Sequence, residues 1–161
     1  MSKTLARPTL CIFLMISSFM AWGAVERETF EVSFVPPSDR FHVWPVDPSL
    51  TFVEQRLPYN SNTGALGPLR APYRVKNANG AIGARLGELA YLSDGRERID
   101  LRVKFNNVEL NLESREVVSA ADAGTIGKIV DLEIAAIKPA GGYPSGQYHG
   151  TVHMVFDAIA P

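Results

Sequence analysis

Apolar and polar residues alternate along most of the chain beyond residue 24, and this period of two predicts β-strands. The clearest run is 99–105, where every second residue is apolar. Asn106-Asn107 follows it, and because asparagine tolerates positive φ, we expect a tight turn there into a returning strand. The predicted strands are 41–44, 50–57, 73–77, 83–91, 99–105, 108–112, 128–137 and 147–158. Frequent Gly, Pro, Asn and Asp between them favour an antiparallel all-β sandwich.

The last predicted strand carries a continuous apolar face. Tyr148, Val152, Met154 and Phe156 lie on one side of residues 147–158, together with Gly150. The histidines of this segment lie on the other side. We therefore expect the tyrosine face to pack into the core.

A second alternating stretch, residues 25–35, has no hairpin partner in the sequence. Phe30, Val32 and Phe34 share one face, and Pro36-Pro37 ends any regular ladder. An isolated strand with large apolar side chains needs a groove in which to lie. Two interpretations stay open on the pattern alone: the stretch is the first strand of a complete sandwich, or it lies in a groove of another copy of the chain.

The first 24 residues have the pattern of a secretory signal peptide. Lys3 and Arg7 form a basic region, and an apolar stretch of about a dozen residues follows from Leu10. Small residues at Gly23 and Ala24 place the expected cleavage after one of them. The sequence therefore predicts an exported protein, with a leader over 1–24.

Removing the leader changes the charge and the cysteine content. The 137 residues that remain form one domain. The loss of Lys3 and Arg7 leaves 14 basic and 17 acidic residues, a net charge of −3. These charges are dispersed, which argues against nucleic-acid binding. The single cysteine, Cys11, lies in the leader, so stability must come from the core, a partner or assembly.

No motif of the mature chain indicates a catalytic or cofactor site. His149 and His153 have the spacing of a metal pair on a helix, but in a strand the same spacing separates them by about 13 Å. Two histidines on a solvent-facing strand are the simpler interpretation. We expect no metal, no cofactor and no enzymatic activity.

Several segments resemble the major subunit of colonization-factor fimbriae, the alternate chaperone-usher family of bacterial pili. Val25-Glu26-Arg27 opens the N-terminal strand, and Gly146-Gln147-Tyr148-His149-Gly150 matches the G-x-Y-x-G element that precedes the apolar final strand of that family. Similarity to this family also extends to the segments 73–75, 99–103 and 130–158. The resemblance spans nearly the whole mature chain and includes the absence of cysteine, and it fits a major or a minor subunit.

The resemblance implies an incomplete immunoglobulin-like β-sandwich whose missing strand leaves a groove open. It implies a donor strand at 25–37, with Phe30, Val32 and Phe34 inserting into the next subunit, and a pilin domain at 38–161. Tyr148, Val152, Met154 and Phe156 would flank the acceptor groove. The implied partners are identical or related pilin subunits, a periplasmic chaperone, an outer-membrane usher, and a host receptor or tip adhesin, on a fimbrium reached through the periplasm.

A monomeric secreted or periplasmic β-sandwich that binds carbohydrate or protein is the alternative to a pilin. Trp44, Tyr59 and Tyr73 are the candidate binding aromatics for that function. A stable monomer made without any chaperone favours this alternative, whereas dependence on a chaperone favours the pilin.

Overall fold

The computed structural model describes residues 40–124 and 126–160. The predicted leader (1–24) and the whole predicted donor strand (25–37), with Phe30, Val32 and Phe34, lie outside these residues. The strands are β1 (Phe41–Pro45), β2 (Tyr59–Asn60), β3 (Ala65–Leu66), β4 (Leu69–Asn77), β5 (Ala81–Leu86), β6 (Tyr91–Ser93), β7 (Arg98–Phe105), β8 (Val108–Glu109), β9 (Arg115–Val118), β10 (Lys128–Ala136) and β11 (Met154–Ile159). A 3-10 helix, Pro48–Thr51, follows β1, and a one-turn helix, α1 (Ala120–Ala123), follows β9.

The strands form two antiparallel sheets, which confirms the predicted all-β sandwich. The larger sheet has the order β1-β4-β10-β7-β6, with β8 paired to β7, and the smaller has the order β11-β5-β9. A separate hairpin joins β2 and β3. Within the described residues, no helix has the length and apolar character that a membrane crossing requires.

The core lies between the two sheets and is built from the alternating residues of both. Phe105 on β7 joins the layers, because its ring lies 4.9 Å from that of Phe156 on β11 and 5.4 Å from that of Tyr73 on β4. Strand β7 is the clearest case of alternation, since Ile99, Leu101, Val103 and Phe105 are all buried between exposed or half-buried charged residues. Burial of each such side chain stabilises the fold by about 1.5 to 3 kcal/mol.

The sandwich has two ends, which we call proximal and distal. At the proximal end, the backbone N–H of Ala78 donates to Arg40, where the chain enters β1, and Ala81 pairs with Ile159. At the distal end, β1 finishes at Pro45 and β11 begins at Met154, which pairs with Leu86. Strand β11 therefore runs from the distal to the proximal end.

The prediction of a tight turn after β7 is confirmed. Asn106 and Asn107 have φ values of 49° and 64°, the left-handed conformation that asparagine tolerates and that matches the twist of a hairpin. Strands β7 and β10 also lie within a residue of their predicted bounds.

The prediction of a strand at 50–57 is wrong. Asp47 caps the 3-10 helix by accepting a hydrogen bond of 2.9 Å from the backbone N–H of Ser49, and Pro48 supplies the φ that a first helical turn needs. Phe52, in the middle of this segment, is 75% exposed. Local capping therefore overrides the apolar alternation of this segment.

Several other segments differ from the prediction. Residues 58–72, between two predicted strands, contain the β2–β3 hairpin and the start of β4. Pro72 faces outward, so it does not interrupt the core-facing row of β4. The predicted strand at 83–91 is divided between β5 and β6. The predicted final strand at 147–158 is regular only from Met154, and β9 lies where no strand was predicted.

Candidate functional site: an open groove beside the last strand

The four apolar residues predicted on the last strand line one groove. Tyr148, Val152, Met154 and Phe156 all face a cavity of about 720 Å³ that we call the edge groove. Met154 and Phe156 belong to β11, whereas Tyr148 and Val152 lie in the irregular segment that precedes it. The alternation of the sequence thus continues through a segment that is not regular strand.

The opposite wall and floor of the edge groove come from the larger sheet. Sequence alternation did not single these residues out as a group, because they are spread over four strands. They are Val43 and Pro45 of β1, Leu69 and Tyr73 of β4, Leu101 of β7, and Leu132 and Ile134 of β10. The groove is therefore apolar on both sides.

The outer edges of two strands border the groove. Strand β11 pairs only with β5, and β1 pairs only with β4, among the residues that the structure describes. Each sheet consequently ends, on the same side of the sandwich, with a strand that has a neighbouring strand on one side only. An edge of this kind is a template for pairing with another strand.

Residues 46–58, which we call the strap, connect β1 to β2 and line the distal part of the groove. Leu50 and Leu57 pack against the core, while Val53 is 52% exposed. Glu54 reaches the other side, where its carboxylate lies 3.5 Å from Nδ1 of His149. Both side chains are largely exposed, so this pair adds little to stability.

The G-x-Y-x-G element has a packing explanation. A Cβ on Gly150 would lie 2.1 Å from the backbone oxygen of Tyr91, and a Cβ on Gly146 would lie 2.6 Å from a carboxylate oxygen of Asp94. The backbone of His149 exchanges hydrogen bonds of 2.8 and 3.0 Å with Ser93. Only glycine allows this segment to lie so close to β6, and the contact places Tyr148 at the groove.

Substituting Gly150→Ala is expected to destabilise the fold, because the added methyl group overlaps a backbone oxygen that has no room to move. Forcing such an overlap costs about 1 to 3 kcal/mol. We expect a lower melting temperature for this variant than for the unsubstituted protein. The matched control is Gly141→Ala, since a Cβ there meets no atom within 4 Å. Equal melting temperatures for the two variants would contradict the packing explanation.

A second cavity of about 790 Å³ adjoins the distal end of the edge groove. We call it the tyrosine cup, after the three tyrosines that line it: Tyr59, Tyr143 and Tyr148. Leu92 and Ile99 are among its apolar lining residues, and the strap contributes Glu54. Tyr148 lines both cavities, so the cup continues the groove beyond its distal end.

The hydroxyl of Tyr148 is buried and makes no hydrogen bond with a described residue. Burial raises the pKa of this phenol, and the nearby carboxylates of Asp94 and Glu97 raise it further. The group is therefore neutral at physiological pH and keeps its proton as a hydrogen-bond donor.

His149 and His153 contact different carboxylates. His149 pairs with Glu54, whereas Nε2 of His153 lies 3.5 Å from Glu88. The described residues contain no cluster of three or more groups able to ligate a metal. Both histidines are exposed, as the alternation of the sequence predicts.

The candidate binding aromatics are not brought together. Tyr73 is only 5% exposed and belongs to the core between the two sheets. Trp44 is 44% exposed and stacks on His42, with ring centroids 4.7 Å apart, on the outer face of the larger sheet. Tyr59 lies in the tyrosine cup. The assignment of Tyr73 as a surface binding aromatic is therefore wrong, whereas Trp44 and Tyr59 are exposed at separate places.

The fold defines a β-sandwich of the pilin class. The CooA pilin subunit from enterotoxigenic Escherichia coli has a similar structure, with a TM-score of 0.53 and 16% sequence identity over 63% of this chain and 75% of that chain. At that identity the likeness concerns the fold. The family model for the CS1 type fimbrial major subunit matches residues 26–157, so the chain belongs to that family. No curated protein sequence matches the chain.

Membership of this family confirms the resemblance inferred from the sequence. The protein is a structural pilin subunit of a surface fimbrium, and related pilin subunits are its partners. The family consists of structural subunits and not of enzymes.

Proposed function

We propose that the protein polymerises head to tail by donor-strand complementation, in which the N-terminal extension of one copy fills the edge groove of the next. The edge groove carries this proposal, because it is apolar, about 720 Å³ in volume and bordered by the outer edges of β1 and β11. Phe30, Val32 and Phe34 are the side chains that would enter it. Tyr148, Val152, Met154 and Phe156 would contact them from the β11 side.

The extension suits such a groove in spacing and in energy. Its apolar residues recur at every second position, as the pockets along a strand edge require. Burying three large side chains contributes on the order of 5 to 9 kcal/mol before the cost of ordering the segment. Each hydrogen bond to the open edges adds about 0.5 to 1.5 kcal/mol.

The positions of the chain ends favour one direction for the inserted strand. Each copy's extension joins the domain at Arg40, at the proximal end. A strand antiparallel to β11 enters the groove at the proximal end and leaves at the distal end, so the next copy sits with its proximal end on the acceptor's distal end. A parallel strand would bring two proximal ends together, where both extensions compete for space. Antiparallel insertion therefore gives an open, head-to-tail filament.

An open groove also requires protection before assembly. We assign this to a periplasmic chaperone that lends a strand to β11, after the leader at 1–24 directs export. An outer-membrane usher would then exchange the chaperone strand for the extension of the next subunit. A tip adhesin or a host receptor would complete the set of partners at the cell surface.

Size-exclusion chromatography with light scattering tests the open groove. The mature chain is expressed in the periplasm with and without a candidate pilus chaperone. We expect a one-to-one complex with the chaperone, and a polydisperse or degraded product without it, because the groove is then exposed. A stable monomer obtained without a chaperone would contradict the proposal and favour the monomeric binding module.

A further inference from the structure

The tyrosine cup is a feature that strand insertion alone does not explain. It lies beyond the distal end of the edge groove, and Phe30, Val32 and Phe34, the residues proposed to fill the groove, leave the cup empty. We propose that the cup receives Pro36-Pro37 of the following copy and that this forms a second contact between subunits, next to the inserted strand. This contact rests on the proposed function, because it requires strand insertion.

Chain length places the proline pair at the cup. If Phe30, Val32 and Phe34 occupy the groove in the antiparallel direction, the residues after them leave it at the distal end, beside Tyr148. The two prolines are the next residues of the chain after Val35. The link from Val35 to Arg40 spans at most about 17 Å, so the body of the following copy must sit close to this exit.

A copy's own prolines do not reach its own cup. Pro37 lies within about 10 Å of Arg40 along the chain. Arg40 is at the proximal end, and β1 alone extends about 13 Å from there towards the distal end. The cup lies beyond that strand, so its occupant comes from another copy.

The chemistry of the cup suits a proline pair. Proline-rich segments adopt an extended left-handed conformation and dock against aromatic side chains, with little ordering cost because φ is already set. Tyr59 is 61% exposed and Tyr143 is half-buried, so their rings are accessible. Prolines also offer carbonyl oxygens without N–H groups, which suits Tyr148, a hydroxyl donor that lacks an acceptor among the described residues.

The stability of assembled fibres tests the contact. We expect Tyr143→Ala to speed dissociation of the fibre in denaturant about tenfold, the effect of losing an aromatic contact. The double substitution Pro36→Ala and Pro37→Ala should have a similar effect. Combining all three should add little more, because both changes remove one contact. Tyr91→Ala is the control, since Tyr91 stacks under Arg98 on the outer sheet face and not in the cup.

Cross-linking provides a second measurement that does not depend on stability. Residues 25–161 contain no cysteine, so pairs can be introduced freely. Fibres with Pro37→Cys and Tyr143→Cys should form a ladder of covalent oligomers with a short bismaleimide. Fibres with Pro37→Cys and Arg102→Cys, on the outer sheet face, should not.

The outcomes separate this contact from the proposed function. If the wild-type chain forms no fibre, donor-strand complementation fails and the cup contact fails with it. If fibres form but Tyr143→Ala leaves their dissociation unchanged, the cup belongs to another occupant, such as a saccharide, and the contact is overturned. Additive effects of the tyrosine and proline substitutions, or equal cross-linking of both cysteine pairs, would also overturn it.

Discussion

Deletion of residues 25–35 is expected to abolish fibre formation while leaving the subunit able to bind the proposed periplasmic chaperone. The deletion removes Phe30, Val32 and Phe34, the side chains proposed to fill the groove of the next copy. The domain from residue 40 onward keeps its own core and its own open groove. Electron microscopy of cells and pull-down with the chaperone measure the two results separately.

A matched control distinguishes the apolar face of the extension from its mere presence. The substitutions Thr29→Ala, Glu31→Ala and Ser33→Ala change only the opposite face and should leave fibres of normal length. Replacing Phe30, Val32 and Phe34 by serine should reproduce the deletion. Fibres of normal length after the deletion would contradict the assignment of residues 25–35 as a donor strand.

The substitution Met154→Lys is expected to abolish the acceptor function and leave the donor function intact. Met154 faces the edge groove, so an inserted strand would bury the added charge against an apolar wall without a partner. Its neighbour Val155 is 37% exposed on the opposite face of the same strand, so Val155→Lys is the matched control and should assemble normally.

Mixing the deletion variant with the Met154→Lys variant tests the donor and acceptor roles together. The deletion variant retains only the groove, and the Met154→Lys variant retains only the extension. An equimolar mixture should therefore stop at a one-to-one heterodimer, detected by light scattering, whereas each variant alone forms no dimer. Longer polymers from the mixture would show that Met154 does not border the accepting groove.

The strands with strict alternation were predictable because one rule governs them. In β7 each inward position is apolar and each outward position is polar, so the period of two specifies both the strand and its face. Asn106 and Asn107 add a turn signal that depends only on local backbone preference. Family membership was likewise predictable from local motifs, including the G-x-Y-x-G element.

Other elements could not be read from the pattern because tertiary context governs them. Strand β5 is buried on almost every residue, so it shows no alternation. Gly83 in this strand lies under the hydrogen bond between Ser114 and Asp157, where a Cβ would clash. The strap shows the opposite case, in which apolar alternation is present but the Asp47 cap produces a 3-10 helix.

The candidate site likewise has one part that the sequence pattern predicted and one part that it did not. Tyr148, Val152, Met154 and Phe156 were predicted to share a face, and they line one groove. The wall opposite them could not be predicted, because Val43 and Leu132 are far apart in sequence. They line one groove only because β1 and β10 both pair with β4. The tyrosine cup had no sequence signal for the same reason, since Tyr59 of β2 and Tyr143 of the β10–β11 connection are far apart in sequence.

Local sequence was enough to specify the all-β fold, the main strands, the apolar face of the last strand and the pilin family. These properties depend on alternation, turn preference and short motifs, which act over a few residues. The folded chain was needed to establish that β1 and β11 leave their outer edges on the same side, and that a tyrosine-lined cup lies at the distal end of the groove. Those features depend on which strands become neighbours, and non-local pairing is set by how the two sheets bury their faces together.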